Sequence, residues 1–454
     1  MIVKQFFYEP LAQYGYAIIS EGEMAVIDPG RDDRPYLELA KATGARVVAS
    51  CLTHPHADFV SSYWAIARQT GAQVYASELI GLAVPYKGLK DGDEIRVGKV
   101  TLKAYLTPGH SPDSITYVLY DEQGREYAAF TGDWLFIGDV GRADLRAEVG
   151  HIQKQREDQA RDMYHSLRRM FQLLQPATLV YPAHGAGTLC GKALKSFNSS
   201  SIGVERMDNW AVMMAHQVDE QTFIEALTTG QPHVPKYFSH SVELNRRGPT
   251  SYQEALNGVN VLGSLTAEAA AQIDRQVLLI DARPADLFRQ GHLRGSINIP
   301  LGKSFGTWLG SIVSPKEPYY LIVGSQLAYE SAMEQVLAIG YELNLKGVFI
   351  GVQYSDEAGP ELLSKKEALS LKADPNGYIV VDVRDPDEDE PLVRDSIRIR
   401  LTDLRERLDE LPTGKPIAVH CAGGYRSAIG SSILLAAGKG KVYDFGESVV
   451  ALRS

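Results

Sequence analysis

The segment THPHAD (residues 53–58) continues directly from the apolar run ARVVASCLT (residues 45–53), and it decides the fold of the first half of the chain. The apolar run predicts a buried β-strand, so His54, His56 and Asp58 lie on the loop that leaves it. On a loop, two imidazoles and a carboxylate within five residues can converge on one point, which a helix at this spacing could not easily arrange. The segment therefore predicts a metal site.

Three further segments share this arrangement, in which a predicted strand ends in a turn of small residues with one ligand-type side chain. They are TPGH with His110, FTGD with Asp133, and YPAH with His184. An isolated histidine usually lies in a core or on the surface. Four such strand ends in one half of the chain instead favour a single metal site assembled from separate strands.

Composition limits the classes of protein that the chain could be. Its 454 residues favour two to four domains, and its net charge of −10 argues against nucleic acid or an anionic membrane as a general partner. The start reads as a strand rather than a signal peptide, and no apolar stretch approaches the roughly 18 residues of a membrane span. Three cysteines cannot build a disulfide framework in so long a chain, which favours a reducing cytoplasm.

The second half of the chain contains an internal repeat with a period of about 100 residues. Three pairs of segments match: 277–288 with 378–389, 296–301 with 396–401, and 321–332 with 417–428. Each copy combines apolar strands with helical segments, which predicts an α/β unit with a parallel sheet. We therefore expect three domains, which cover residues 1–250, 251–358 and 359–454.

A cysteine loop in the last unit, HCAGGYRS (residues 420–427), lies between a predicted strand and a helix. A thiol on a glycine-bearing loop at a helix N-terminus faces backbone N–H groups and the positive end of the helix dipole, which favour the thiolate of Cys421. Arg426 adds a fixed positive charge suited to a persulfide or thiosulfonate anion. In the middle unit Ser325 and Glu330 occupy these two positions, so we expect that unit to be inactive.

The metal-site motifs resemble those of the metallo-β-lactamase superfamily, whose αββα sandwich would cover roughly residues 1–245. Members with two zincs, such as glyoxalase II, carry a further histidine where this chain has Phe59. A phenyl ring cannot bind a metal, so a single-metal site is favoured. Within the superfamily the chain most resembles the persulfide dioxygenases, through THPHAD, PGH, TGD followed by GRAD (141–144), and YPAH.

This resemblance implies one Fe(II) per chain, with zinc as a possible occupant after purification, and it implies His54, His110 and Asp133 as the ligands. Two histidines and one carboxylate form the facial triad that leaves positions open for substrate and O2. The remaining candidates would then orient the ligands and donate hydrogen bonds; they are His56, Asp58 and His184. Gly185-Ala186 replaces the bulkier pair of the mitochondrial members, so glutathione persulfide is not assumed as the substrate.

The cysteine loop resembles the rhodanese active-site loop, in which Cys421 would carry the sulfane sulfur. The middle unit keeps the rhodanese-like GHLRGSINIP (291–300), which the last unit replaces by PLVRDSIRIR (391–400). The whole chain resembles bacterial fusion enzymes that join a persulfide dioxygenase to an inactive and an active rhodanese. That resemblance implies a low-molecular-weight thiol persulfide, O2, sulfite and thiosulfate as reactants, a role in sulfide detoxification, and a homo-oligomer.

Three questions remain open from the sequence. Cys190 follows His184 by six residues and could relay sulfur or gate the metal pocket, or it could be a small buried residue. The chain could instead be a binuclear-zinc thioester hydrolase of the glyoxalase II kind, fused to a sulfurtransferase. It could also be a scaffold or a sulfide-sensing module without catalysis. Neither the thiol carrier nor the direction of sulfur flow follows from the residues.

Overall fold

The structure is a computed structural model that describes residues 1–144, 152–231, 233–386, 388 and 392–453. Three residues of the segments quoted above lie outside the described residues: Asp387, Asp389 and Pro391. The chain divides into two compact units. The first comprises Met1–Ala255 and Leu337–Gly340, and the second comprises Leu256–Val336 and Tyr341–Ser454. The exact domain limits at 250 and 358 remain predictions.

The first unit is built on two six-stranded sheets. The first sheet has the order β1-β2-β3-β4-β5-β6, and the second has the order β12-β11-β10-β9-β8-β7. The strands of the first are β1 (Ile2–Tyr8), β2 (Gln13–Ser20), β3 (Glu23–Ile27), β4 (Arg46–Cys51), β5 (Gln73–Ser77) and β6 (Lys87–Leu89). Those of the second are β7 (Glu94–Val97), β8 (Val100–Leu106), β9 (Ile115–Tyr120), β10 (Glu126–Gly132), β11 (Leu179–Pro182) and β12 (Ser200–Ser201).

Apolar side chains of both sheets share one core between them, in which Ile18 and Cys51 pack with Leu102 and Tyr117. Helices cover the two outer faces, so this unit is an αββα sandwich. The helices are α1 (Arg34–Thr43), α2 (Tyr63–Thr70), α3 (Ile152–Leu173), α4 (Ile202–Asp208), α5 (Trp210–Gln217), α6 (Glu220–Thr228), α7 (Phe238–Arg247) and α8 (Tyr252–Asn257).

The second unit contains two parallel five-stranded sheets of the same topology. Their orders are β13-β17-β16-β14-β15 and β18-β22-β21-β19-β20, which become identical when five is added to each number of the first. The first sheet comprises β13 (Val261–Leu265), β14 (Leu278–Asp281), β15 (Ser296–Asn298), β16 (Tyr319–Val323) and β17 (Leu345–Val352). The second comprises β18 (Glu361–Leu362), β19 (Ile379–Asp382), β20 (Ile397–Arg398), β21 (Ile417–His420) and β22 (Val442–Asp444).

Helices connect the strands of each copy, as right-handed crossovers between parallel strands require. They are α9 (Ala267–Gln272), α10 (Ala285–Gln290), α11 (Phe305–Ile312), α12 (Gln326–Ala338), α13 (Lys365–Ala373) and α14 (Tyr425–Ala436). The predicted multidomain α/β fold, an αββα sandwich followed by two α/β units with parallel sheets, is therefore confirmed. Among the described residues, the helices are all too short or too polar to cross a membrane.

The two repeat units of the second unit dock through polar contacts as well as apolar ones. The Tyr425 hydroxyl donates to the Pro300 carbonyl at 2.7 Å, and the backbone N–H of Asn298 donates to Ser432 Oγ at 2.9 Å. The Arg405 guanidinium donates to both carboxylate oxygens of Glu317, at 2.9 and 2.7 Å. Because Tyr425 begins α14 beside Cys421, the middle unit directly supports the helix that carries the cysteine loop.

Candidate metal centre and thiol loop

The three predicted ligands meet at one point in the first unit. His54 follows β4, His110 follows β8 and Asp133 follows β10, and each is at most 2% exposed. Asp133 Oδ2 lies 3.8 Å from His54 Nε2 and 3.6 Å from His110 Nε2. Atoms that each lie about 2.0–2.2 Å from a shared ion have separations of this order. The structure therefore brings His54, His110 and Asp133 together in the geometry of a single metal site.

The hydrogen bonds around these side chains fit a metal ligand set. Asp133 Oδ1 accepts from His184 Nδ1 at 2.8 Å, whereas Oδ2 is buried and accepts no hydrogen bond within the described residues. A buried carboxylate oxygen without a donor is unfavourable unless an ion binds it. His110 Nδ1 lies 2.9 Å from the Arg142 carbonyl, so this nitrogen carries the proton and Nε2 keeps its lone pair for the ion.

A second chain of hydrogen bonds fixes the other histidine. The Thr53 hydroxyl donates to Asp28 Oδ2 at 2.7 Å, so its oxygen accepts from His54 Nδ1 at 3.0 Å. This arrangement leaves Nε2 of His54 unprotonated and turned toward Asp133. Asp28 was not among the predicted site residues, although VIDPG at the end of β3 follows the same strand-end pattern as the predicted ligands.

Gly141, the glycine of GRAD, leaves no room for a side chain because its backbone lies against the predicted ligands. A Cβ atom at Gly141 would lie 2.1 Å from the Asp133 carbonyl oxygen and 2.7 Å from His110 Nδ1. Both distances are shorter than any van der Waals contact, so a side chain here would displace two ligands. Arg142, the next residue, binds Asp144 through its guanidinium at 2.6 and 2.8 Å and so anchors this loop.

The predicted orienting residues lie beside the ligands. His184 lies between two carboxylates, with Nδ1 2.8 Å from Asp133 and Nε2 2.8 Å from Asp58. Burial alone would lower the pKa of His184, but these two carboxylates raise it well above its usual value. His56 Nε2 lies 3.1 Å from Asp28 Oδ1. His184 thus fixes the orientation of Asp133 and leaves Oδ2 available to a metal ion.

Phe59 fills the space next to this network. Its ring centroid lies 4.3 Å from that of His56 and 6.1 Å from that of His184, and the side chain is 2% exposed. Ligand-type atoms of Asp58, His184 and Cys190 also lie within 4.8 Å of one another, a grouping that resembles part of a second metal site. The phenyl ring occupies the side where a further histidine would complete that site.

Replacing Phe59 by histidine is expected to raise the zinc content from one toward two ions per chain, because the imidazole adds the missing donor beside His184 and Asp58. Metal analysis after loading with excess zinc measures this directly. Phe59→Leu is the matched control and should stay at one ion, since leucine removes the ring without adding a ligand. Equal metal content in the two variants would contradict this interpretation of Phe59.

Cys190 lies beside two of the candidate orienting residues, Asp58 and His184. Its side chain is 1% exposed, and its sulfur belongs to the group formed with Asp58 and His184. Burial raises the pKa of the thiol well above its usual value, and the neighbouring carboxylates of Asp58 and Asp133 add to this. A role for Cys190 in catalysis remains a prediction.

The predicted thiol loop has the expected position between β21 and α14. Cys421 is 1% exposed, and the Gly424 N–H donates to its sulfur at 3.1 Å. Gly424 has φ = 101° and caps the helix N-terminus, and a Cβ atom there would lie 2.9 Å from the carbonyl carbon of Gly446. Only glycine therefore allows this N–H to point at the thiol.

Arg426 has a partner that the sequence analysis did not identify. Its two terminal nitrogens donate to the two carboxylate oxygens of Glu388, the Nη2 bond being 3.0 Å long. Although burial would raise the pKa of Glu388, the Arg426 hydrogen bond holds it below its usual value. The pairing joins a turn after β19 to the first turn of α14, and no sequence pattern links these positions.

The middle unit differs at the same place. Ser325 is exposed, and its hydroxyl accepts from the Ala328 N–H at 3.2 Å. Glu330 is exposed and accepts from the amide of Gln326 at 3.3 Å. This loop offers neither a thiol nor a cation, which agrees with the prediction that the unit cannot transfer sulfur.

Comparison with known proteins agrees with both halves of the chain. Residues 8–184 match the metallo-beta-lactamase superfamily, and residues 265–350 and 364–452 match the rhodanese-like domain. The chain is similar to the crystal structure of a metallo-beta-lactamase from Staphylococcus aureus, with a TM-score of 0.66 and 30% sequence identity. The superposition covers 77% of this chain and 98% of the Staphylococcus aureus chain. The chain belongs to the metallo-beta-lactamase superfamily and carries two rhodanese-like domains behind that domain.

Two curated relatives match the first part of the chain. Human mitochondrial persulfide dioxygenase ETHE1 is 33% identical over 164 residues, which are 36% of this chain and 59% of the human protein. A probable metallo-hydrolase of Burkholderia pseudomallei is 28% identical over an alignment of 301 residues, and the match covers 58% of this chain and 98% of that protein. The first match therefore spans less than two thirds of the human enzyme. The predicted relationship to persulfide dioxygenase–rhodanese fusions is confirmed.

Proposed function

We propose that this chain is a persulfide dioxygenase that oxidises a thiol persulfide with O2 to sulfite at a single Fe(II), coupled to rhodanese sulfur transfer through Cys421. The observation that carries the proposal is the buried set of two imidazole nitrogens and one carboxylate oxygen from His54, His110 and Asp133. This is the ligand set of non-haem iron oxygenases, which leaves coordination positions open. Similarity to human persulfide dioxygenase supports it.

Fe(II) in this ligand set would supply the redox chemistry that combines the terminal sulfur of a persulfide with O2. The overall reaction balances as R–S–SH + O2 + H2O → R–SH + SO3²⁻ + 2 H⁺. The chain's own residues would hold the ligands rigid: the Arg142 carbonyl fixes His110, Thr53 fixes His54, and His184 fixes Asp133. Rigid, buried ligands also limit the access of bulk water to the reacting sulfur.

At the thiol loop, Cys421 would take a sulfane sulfur and pass it to sulfite. The Cys421 thiolate attacks the outer sulfur of R–S–SH, the S–S bond breaks, and R–S⁻ leaves with the electron pair and takes the proton. Sulfite then attacks the outer sulfur of Cys421–S–S⁻, which gives S2O3²⁻ and restores the thiolate. The Gly424 N–H would stabilise the anionic sulfur of Cys421 in both steps, and the Arg426 charge would attract the sulfite oxyanion in the second.

Oxygen consumption by the iron-loaded full chain tests the dioxygenase proposal. A panel of glutathione, coenzyme A and cysteine persulfides should yield O2 uptake with at least one member, and sulfite plus thiosulfate together should equal one per O2. Glutathione without its persulfide sulfur is the control and should give no uptake. Absence of uptake with every persulfide, together with thioester hydrolysis by the zinc-loaded chain, would contradict it.

That second outcome corresponds to a binuclear hydrolase. One observation favours this rival function, namely the additional group of ligand-type atoms formed by Asp58, His184 and Cys190. Phe59 beside them argues against it, because the ring blocks one side of the group. The cytoplasmic location and the homo-oligomer remain predictions.

A further inference from the structure

The anion-binding side chain of the thiol loop is already occupied by a carboxylate of the protein itself. Arg426 is 18% exposed, and it donates in a fork to both oxygens of Glu388, which is 33% exposed. A planar guanidinium presents two parallel N–H groups, and this fork matches an oxyanion with two oxygens. Any small oxyanion that binds Arg426 in this way must therefore replace Glu388.

Glu388 is held in place by a short turn, here called the acidic turn, formed by Asp385, Pro386 and Glu388. The Asp385 N–H donates to Glu388 Oε1 at 3.0 Å. Arg398 donates to the carbonyls of Pro386 and Glu388 at 3.0 and 3.3 Å. Arg400 Nε lies 2.7 Å from Asp385 Oδ1. Arg398 and Arg400 thus hold the acidic turn in place.

Four charged residues of this network occur only in the unit that has the cysteine. When the two repeat copies are aligned on their strand-end aspartates, Asp281 and Asp382, and on the matching segments that follow, each of the four has an uncharged or oppositely charged counterpart in the middle unit. The pairs are Glu388 with Leu287, Arg398 with Asn298, Arg400 with Pro300, and Arg426 with Glu330.

By contrast, both units contain an ion pair between the aspartate at a strand end and the arginine two residues later. Arg283 binds Asp281 and Arg384 binds Asp382, each through two nitrogens and with nearly equal distances of 2.7 and 2.8 Å for Nη2. The fold therefore needs the strand-end pair but not the Glu388–Arg426 pair. The acidic turn is lost together with the thiol, so it belongs to the chemistry of Cys421.

We infer that Glu388 is a specificity-determining residue of the Cys421 site, whose carboxylate occupies the position of a sulfur oxyanion, namely sulfite or the sulfonate end of thiosulfate. This inference rests on the proposed sulfur transfer at Cys421. A persulfide anion carries its charge on one sulfur and cannot fill both N–H groups of the fork. Glu388 therefore competes with the oxyanion substrate and not with the thiol persulfide.

The test is Glu388→Gln in the full chain, with thiosulfate as sulfur donor and cyanide as acceptor. Thiosulfate reacts as Cys421–S⁻ + S2O3²⁻ → Cys421–S–S⁻ + SO3²⁻. Because an amide competes less well than a carboxylate for the guanidinium, the KM for thiosulfate and the inhibition constant of sulfite should both fall about tenfold. The KM for glutathione persulfide should change by less than about twofold.

Glu410→Gln is the matched control, since Glu410 accepts an exposed fork from Arg407 at 2.6 and 2.7 Å. It should leave all three constants unchanged. Glu388→Ala removes the carboxylate altogether and carries the test if the glutamine variant does not fold. An unchanged or raised KM for thiosulfate in a folded Glu388 variant would overturn the inference. Absence of a Cys421 persulfide in the unaltered chain would instead overturn the proposed sulfur transfer.

Discussion

Replacing His110 by alanine is expected to abolish persulfide-dependent oxygen consumption and to strip the iron from the chain. His110 supplies one of the three atoms that surround the proposed ion, and its Nε2 lies 3.6 Å from Asp133 Oδ2. Changing a residue that merely orients a metal ligand typically costs 10–100-fold in affinity or activity. We therefore expect a loss of more than about a hundredfold for a ligand itself. Metal analysis and an oxygen electrode measure the two effects.

His165→Ala provides the control for this experiment. His165 is a surface histidine whose side chain is 61% exposed and lies 2.9 Å from Glu220. The same substitution there should change neither the iron content nor the rate. If His110→Ala kept full iron content and oxygen uptake, the ion would have to lie elsewhere, and the dioxygenase proposal would fail.

Replacing Cys421 by serine is expected to reduce sulfur transfer to the background rate while oxygen consumption at the metal centre continues. A serine oxygen cannot form a persulfide, so no sulfane sulfur can be carried by residue 421. The loss should exceed about a hundredfold, since catalysis here is covalent. Production of thiocyanate from cyanide and of sulfite from a persulfide, measured on the same sample, separates the two activities.

A complementary variant is Ser325→Cys, which restores a cysteine to the middle unit. It should not rescue Cys421→Ser, because Glu330 stands where the loop arginine would be and repels an anion. Sulfur transfer that persists in Cys421→Ser would point to another thiol or to a protein-binding role for the rhodanese-like domains.

Much of the metal centre can be predicted from sequence because its ligands obey a local rule. His54, His110, Asp133 and His184 each follow an apolar strand, and strands that pack in one sandwich bring their ends to a common edge. The repeat likewise predicts two similar sheets, because matching apolar segments at an offset of about 100 residues are expected to form matching strands.

The hydrogen bonds that orient these groups follow no such rule. Thr53 could donate to many acceptors, and only the packing of β3 beside β4 brings Asp28 to it. Glu388 pairs with Arg426 across 38 residues, which depends on how the turn after β19 lies against α14. Such partners come from tertiary packing, and a single sequence contains no signal for the pairing.

The docking of the two repeat units has a consequence for how the gene can vary. The loop around Ser325 in the middle unit has no thiol, so residues in this loop should tolerate substitution. The edge that carries Asn298 and Pro300 should not, because it buttresses Tyr425 and Ser432 of the working copy. Selection would therefore conserve residues of the middle unit at the edge that contains Asn298 and Pro300 and would allow substitutions in the loop around Ser325.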